Sequence, residues 1–439
     1  MFLLVKVAFA LLSAWLVYQA VRKKCNKYLA FVVIAVWLRF FLAAFHQITY
    51  TPLVAGFSIN ALASIGIALS GLMLLPPRVF QLRVLVPLYG FIAVIVLSGL
   101  INGSVSGLIN VMVKWVFFLS VTCAMFMAIR KTDKDFALRK LLVAFFLPVS
   151  LAIMSVILGE VKATEADGSA SYIGGYNHEA AFSMIIAGFI LVVGLLSPGY
   201  IRFRGPLFIL GCAVLVLVNY RTSVLAILPI AALFAYTAMA ARVPTRHQAV
   251  FFVTAIFGLS VLFLVAFYTM QDRFADVVVF LTSLDELIKA PFYYSDAQRD
   301  IFSARVYLWS MYIYDYVNGS LIHQIIGWGP ESWAGVFPKY AHNTYVSYLY
   351  EYGLVGLLAF LIAVLSLLKH AYRNKNRQFS LMLCSSMVGF LIMNFATMPL
   401  WNIEGLILFA ILIGNAIGPV KLPRNDWFAS PAFASRLAN

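Results

Sequence analysis

The chain has 439 residues, 63% of them apolar and only 11% charged. Charges so sparse cannot cover the surface of a water-soluble protein of this size, which excludes a soluble globular enzyme. The net charge of +15 would suit a nucleic-acid binder, but the placement of the charges excludes that reading.

Apolar runs of the roughly 20 residues that cross about 30 Å of hydrocarbon recur along the chain. In lipid such runs must be helical, because no water is present to bond the backbone. In chain order, spans are predicted near 2–21, 28–46, 55–76, 84–101, 108–128, 141–159, 179–197, 206–219, 222–239, 249–269, 345–368, 379–398 and 404–420. Residues 1–21 lack a basic stretch followed by a small-residue cleavage site, so they read as a span and not as a secretory leader. The short pair around Arg221 has an alternative reading as one broken helix. The expectation is an all-α polytopic bundle of about 12–14 spans, one integral membrane domain over 1–439.

Alternate connections hold 22 of the 32 basic residues and three of the 17 acidic ones, Asp133, Asp135 and Asp426. The rest of the chain holds ten bases and 14 acids. This is the positive-inside pattern; it puts the basic connections in the cytoplasm and the N-terminus outside. Cys25, Cys123, Cys212 and Cys384 lie in or beside spans, which argues against a disulfide framework.

Two outward connections are long. Residues 160–178 form a polar loop rich in Gly, Ser and Ala. Residues 270–344 form the largest non-spanning segment, with eight acids and five bases, and a loop of that length without function is unusual. Short amphipathic helices are predicted within it at 276–289 and 303–317. The second puts Arg305, Leu308, Trp309, Tyr312 and Tyr316 on one face and ends at Asn318-Gly319. Ile326-Gly327-Trp328-Gly329-Pro330 follows as a turn-forming cluster, and Tyr340-Ala341-His342-Asn343-Thr344-Tyr345 leads into the next span.

Arg221 sits between two apolar stretches, where a charge is costly and suits two-point binding of phosphate oxygens. The competing reading is an anchor that snorkels to headgroups. Arg305 offers a second phosphate clamp on an aromatic helix whose Tyr and Trp faces suit sugar rings; a loop salt bridge is its alternative. His342 has the chemistry to take a proton from an attacking hydroxyl near pH 7, against the plainer reading of an interfacial histidine. Asn177-His178-Glu179 closes the other loop. His178-Glu179 begins like a zinc-protease motif, but Phe182 stands where the second histidine belongs, so no metal site is expected. Arg39 and Lys114 lie inside spans and are weaker candidates for a polar cavity.

Taken together, Arg221-Thr222-Ser223, Arg305 with Trp309, Ile326-Gly327-Trp328-Gly329-Pro330, His342-Asn343-Thr344-Tyr345 and Glu351-Tyr352-Gly353-Leu354-Val355-Gly356-Leu357-Leu358 resemble the O-antigen ligase/polymerase family of bacterial envelope enzymes. The resemblance covers roughly residues 170–415. One departure is Tyr176, which stands before Asn177 where family members often carry proline.

The resemblance implies a multi-pass protein of the bacterial inner (cytoplasmic) membrane whose active site faces the periplasm. The donor would be an undecaprenyl-diphosphate-linked glycan. The first reading of the reaction is O-antigen or exopolysaccharide polymerisation; the alternative is ligation to a lipid A-core acceptor. The resemblance further implies that Arg221 and Arg305 hold the diphosphate and that His342 activates or orients the acceptor hydroxyl. Asn177, His178, Trp309, Tyr312, Tyr340 and Asn343 are expected around the substrate. No cofactor, metal or nucleic acid is expected, and the other partners are membrane lipids. A polysaccharide or lipid transporter is the competing class; it predicts paired repeats and broken helices.

Overall fold

The computed structural model describes residues 2–54, 56–163, 170–240, 244–250, 253, 254, 256–258, 260, 287–299, 301 and 304–422. The longer helices are α1 (Phe2–Arg22), α2 (Lys27–Ala44), α3 (Ile59–Leu74), α4 (Val86–Ile101), α5 (Val105–Lys131), α6 (Lys134–Leu141), α7 (Phe146–Ile157), α8 (Glu179–Leu195), α9 (Arg204–Val218) and α10 (Arg221–Ala240). They continue as α11 (Arg305–Asn318), α12 (Leu321–Ile326), α13 (Thr344–Tyr372), α14 (Arg377–Ala396) and α15 (Ile403–Ala416). Among the described residues the only strands are two short antiparallel pairs in connecting loops.

The chain is an all-α, multi-pass membrane protein. Among the described residues, eight helical segments are long and apolar enough to cross a membrane, the sixth and seventh helices forming one of them. Four shorter apolar helices, α3, α8, α9 and α15, occupy the remaining expected spans. Most of the expected span at 249–269 and nearly all of the expected helix at 276–289 lie outside the described residues. The pair around Arg221 is two helices: Asn219 adopts a left-handed conformation (φ 59°) and ends α9 before α10 begins. Asparagine tolerates that region because its short polar side chain bonds locally.

Helix association in lipid depends on close backbone approach, since lipid tails are as apolar as leucine. Small residues supply it here. A Cβ at Gly389 of α14 would stand 2.0 Å from the Ala226 carbonyl oxygen of α10, and one at Gly71 of α3 would stand 2.4 Å from Ser120 Cβ of α5. Cations gather at one end and cap helix C-termini, where the macrodipole favours them. Lys134 Nζ and Arg204 donate to the last carbonyls of α8 at Leu195, Val193 and Gly194, and Lys140 Nζ donates to Ala20 at the end of α1.

The two most enclosed helices are also short. All but one residue of α15 and all but one of α8 are buried, yet they have only 14 and 17 residues. At 1.5 Å per residue they rise about 21 and 26 Å, less than the roughly 30 Å of hydrocarbon. Both begin at the end opposite the cations. A cavity lies over the starts of both, so the centre of the bundle is recessed at that end.

Candidate active site

Above the recess, α13 is broken in a way that fixes the loop before it. Gly353 has φ 67° inside α13, a conformation that interrupts the helical hydrogen-bond ladder. The carbonyls of Tyr350 and Glu351 instead accept from the backbone N–H groups of Trp328 and Gly329, at 3.1 and 2.9 Å. Gly327 (φ 74°) lies against the Glu351–Tyr352 peptide, and a Cβ there would stand 2.2 Å from Glu351 C. The turn cluster and the kink thus fit each other backbone to backbone. The Trp328 ring stacks on Tyr350 with centroids 4.7 Å apart.

The predicted helix at 303–317 is α11, and it ends at Asn318 as expected. Gly319 has an ordinary φ of −70°; its lack of a side chain makes room for the Trp328 ring, 2.3 Å from where a Cβ would stand. The inner face of α11 grips the segment that carries His342. Trp309 Nε1 donates to the Ala341 carbonyl at 2.8 Å, and the Tyr312 hydroxyl donates to the Lys339 carbonyl at 3.0 Å. Tyr312 is buried and stacks on Phe337 at 4.0 Å. Its role in the geometry is support of the segment. Asn343 is buried and caps α13, its Oδ1 accepting from Tyr345 N and Val346 N at 2.9 and 3.1 Å.

His342 is half-buried between these fixed points, with φ 52°. Tyr340 lies against it, ring centroids 4.0 Å apart, and stacks in turn on Trp401 at 4.8 Å. Burial first, then the positive fields of Arg305, Lys339 and His178, push the imidazole pKa down to about 3. Those fields place His342 near both Arg305 and His178, which come from distant parts of the chain. Arg305 is half-buried at the first residue of α11.

Arg221 is the first residue of α10 at the same end of the bundle. Its helix is tied to α8 by the buried Ser183–Ser223 hydroxyl pair at 2.6 Å and to α14 at Gly389. The far end of α14 meets the start of α13, where the Thr344 hydroxyl faces the Thr397 carbonyl at 3.4 Å. Both arginines open helices, so the partial positive charge of each N-terminus adds to the guanidinium.

Asn177 and His178 precede α8, and His178 Nδ1 accepts from Ala180 N at 3.1 Å. Glu179 pairs with Lys162 at 3.2 Å. Tyr176, in the place of the family's proline, is buried; its hydroxyl donates to the Phe40 carbonyl at 3.1 Å and its ring packs on Phe182 at 4.7 Å. Asn177, His178 and Tyr340 all line a cavity of about 350 Å³ over the starts of α8 and α15.

Sequence reasoning missed three residues of that cavity: Trp401, Asn402 and Glu404. Glu404 fell at the edge of a predicted span, where only the buried bases were weighed. The signal was available as a pair: Arg39 is almost wholly buried on α2, and its Nη2 lies 3.8 Å from Glu404 Oε1. Arg39 Nη1 also donates to the Asn60 carbonyl at 2.7 Å and to the Asn60 side chain. Lys114, the other intramembrane base, pairs with Glu331 at 3.4 Å, which ties α5 to the loop.

Residues 206–361 match the family model described as O-Antigen ligase. The match runs from the start of α9 to the middle of α13 and contains Arg221, Arg305 and His342. No curated protein matches the chain. Enzymes of this kind are glycosyltransferases that work on lipid-linked glycans and an acceptor. Over this segment, about a third of the chain, the protein is similar to the O-antigen ligase family.

Proposed function

We propose that this protein transfers a glycan from an undecaprenyl-diphosphate carrier to an acceptor hydroxyl at the periplasmic face of the bacterial inner membrane, as an O-antigen or exopolysaccharide polymerase. The observation that carries the reading is a neutral, half-buried histidine held beside Arg305 in the segment that matches the family. The acceptor hydroxyl gives its proton toward an imidazole nitrogen of His342 as its oxygen attacks the anomeric carbon. The bond from that carbon to the diphosphate breaks, and the bonding electrons leave with the lipid diphosphate. Arg305 and Arg221 neutralise the growing phosphate charge, so the step is drawn without a metal ion. Each charged hydrogen bond contributes roughly 1.5–3 kcal/mol.

A histidine with a low pKa is a weak base in the empty protein. The diphosphate opposes the cationic field and raises the basicity of His342, so the base strengthens when the donor is in place. The second reading is ligation to a lipid A-core acceptor; the matching family model is described as O-Antigen ligase.

Deletion of the gene followed by glycan analysis separates the two. Lipid A-core capped by single repeats identifies a polymerase of O-antigen. Bare core with long carrier-linked polymer identifies a ligase. Loss of a secreted polysaccharide identifies an exopolysaccharide polymerase, and an unchanged envelope glycan rejects all three.

A further inference from the structure

We propose that the cavity over the starts of α8 and α15 is a sugar subsite that takes one uncharged pyranose ring of the hydroxyl acceptor. The inference rests on the transferase reading above and deepens it.

Two buried polar atoms on residues that line this cavity lack hydrogen-bond partners. Glu404 is only 5% exposed, and its Oε1 accepts no hydrogen bond; the Arg39 nitrogen, at 3.8 Å, is beyond hydrogen-bond reach. Trp401 Nε1 is likewise buried and donates to nothing. An unmet buried polar atom costs about 1–3 kcal/mol, so such atoms call for an explanation. One of these is an acceptor and the other a donor. A sugar hydroxyl is both, so a polyol satisfies the pair as a simple anion or cation does not.

The walls agree. Tyr176, Phe182 and Tyr340 supply aromatic surface for the apolar C–H faces of a ring. Trp401 is held by Tyr340 at 4.8 Å and by Lys114 Nζ at 4.9 Å from its ring centroid. The volume of about 350 Å³ suits a small ligand, at the lower end of the roughly 300–1,000 Å³ of such pockets. Tyr340 touches both this cavity and His342, so a ring seated here would present a hydroxyl toward the base.

Charge separates the acceptor from the donor. The starts of α8 and α15 carry Glu179 and Glu404 in their first turns, which offset the partial positive charge of those helix ends. Each carboxylate is balanced by a base, Lys162 at Glu179 and Arg39 at Glu404, so the floor offers no surplus positive charge to a diphosphate, which belongs with Arg305 and Arg221. Of the cavity-lining residues named here, only Tyr340 lies within the matched segment 206–361. The acceptor side is thus built mostly from parts of the chain outside it.

The test uses the purified full-length protein in lipid nanodiscs and saturation-transfer NMR. The probes are the methyl glycosides of glucose, galactose, rhamnose and N-acetylglucosamine, with inorganic pyrophosphate as competitor. At least one glycoside should bind the wild type and resist displacement by pyrophosphate. Trp401→Phe keeps an aromatic but smaller ring and removes the N–H, and Glu404→Gln swaps an acceptor for a mixed group. Loss of one hydrogen bond should weaken binding about 2- to 10-fold in each. His342→Ala should still bind the sugar. Because Glu404→Gln strands Arg39, Trp401→Phe is the deciding variant. The subsite is overturned if no glycoside binds, if Trp401→Phe binds as the wild type does, or if pyrophosphate competes for the cavity. The transferase reading fails separately: it falls if His342→Ala cells keep normal glycan, whatever the cavity binds.

Discussion

The rings of Tyr340 and His342 lie 4.0 Å apart, and the backbone of His342 sits at φ 52° to make that possible. The left-handed region costs a residue with a side chain roughly 1–2 kcal/mol. The strain is held by the bonds to Ala341 and Lys339 on one side and the Asn343 cap on the other. Strain of this kind persists where the surroundings over-determine it, and functional sites are where it gathers.

His342→Ala is therefore expected to lower transfer by about 10²–10⁴-fold, the range of a lost general base, while the protein still inserts and accumulates in the membrane. Glycan amount and length in cells, normalised to membrane protein, give the answer; normal glycan would falsify the assignment.

At Arg221 and Arg305 charge should matter more than shape. Alanine at either position is expected to cost about 10- to 150-fold in transfer, the equivalent of one charged hydrogen bond, and lysine markedly less. Wild-type activity in both alanine variants would remove the arginines from the diphosphate site.

The low pKa of His342 sets a pH signature. Below the ordinary value of 6.5 an unfolded imidazole takes up a proton, while the folded one resists until about pH 3. The stability tied to this group is thus complete above pH 6.5 and declines as pH falls from 6.5 toward 3. The wild-type kcat/KM, which follows the empty protein, should not fall through this group between pH 7.5 and 5.5. Arg305→Gln removes one of the depressing fields, so the imidazole pKa rises and its acid limb moves toward neutrality. A pH–rate series on both proteins checks it; identical profiles contradict the field of Arg305.

Gly353→Ala and Gly327→Ala each place a Cβ within about 2.3 Å of backbone across the kink. Both also sit at positive φ. Each should destabilise the protein by about 1–3 kcal/mol or more and release the loop from α13. Thermal unfolding in detergent would report it, together with faster proteolysis near Trp328. Trp309→Phe tests the milder tether: it removes the bond to Ala341 together with part of the indole ring, for about 0.5–1.5 kcal/mol from the bond and a partial loss of transfer.

Most of the fold was legible because hydrocarbon imposes a length and a charge rule on every span. Twelve of the thirteen predicted spans coincide with helical segments. The helix at α11 was legible from its 3.6-residue aromatic spacing. The site was legible only in part. His342 and Arg305 stood out as unusual residues at the ends of elements, and they converge. Trp401 and Glu404 did not stand out, because a tryptophan at a membrane boundary and an acid at a helix start are ordinary there. Their meaning depends on Arg39 and Tyr340, which lie some 365 and 60 positions away in the chain. Partnerships at that separation leave no periodic trace.

The shortness of α8 and α15 has a consequence for where the protein can work. A short helix facing lipid would thin the bilayer around it or tilt its neighbours, and its depth would follow the host membrane. These two are wrapped by the rest of the bundle. The depth of the recess, and so the height of His342 above its floor, is a dimension of the protein itself. Transfer should hold constant across bilayers of different acyl-chain length, with the protein carrying its own fixed working plane from one membrane to another.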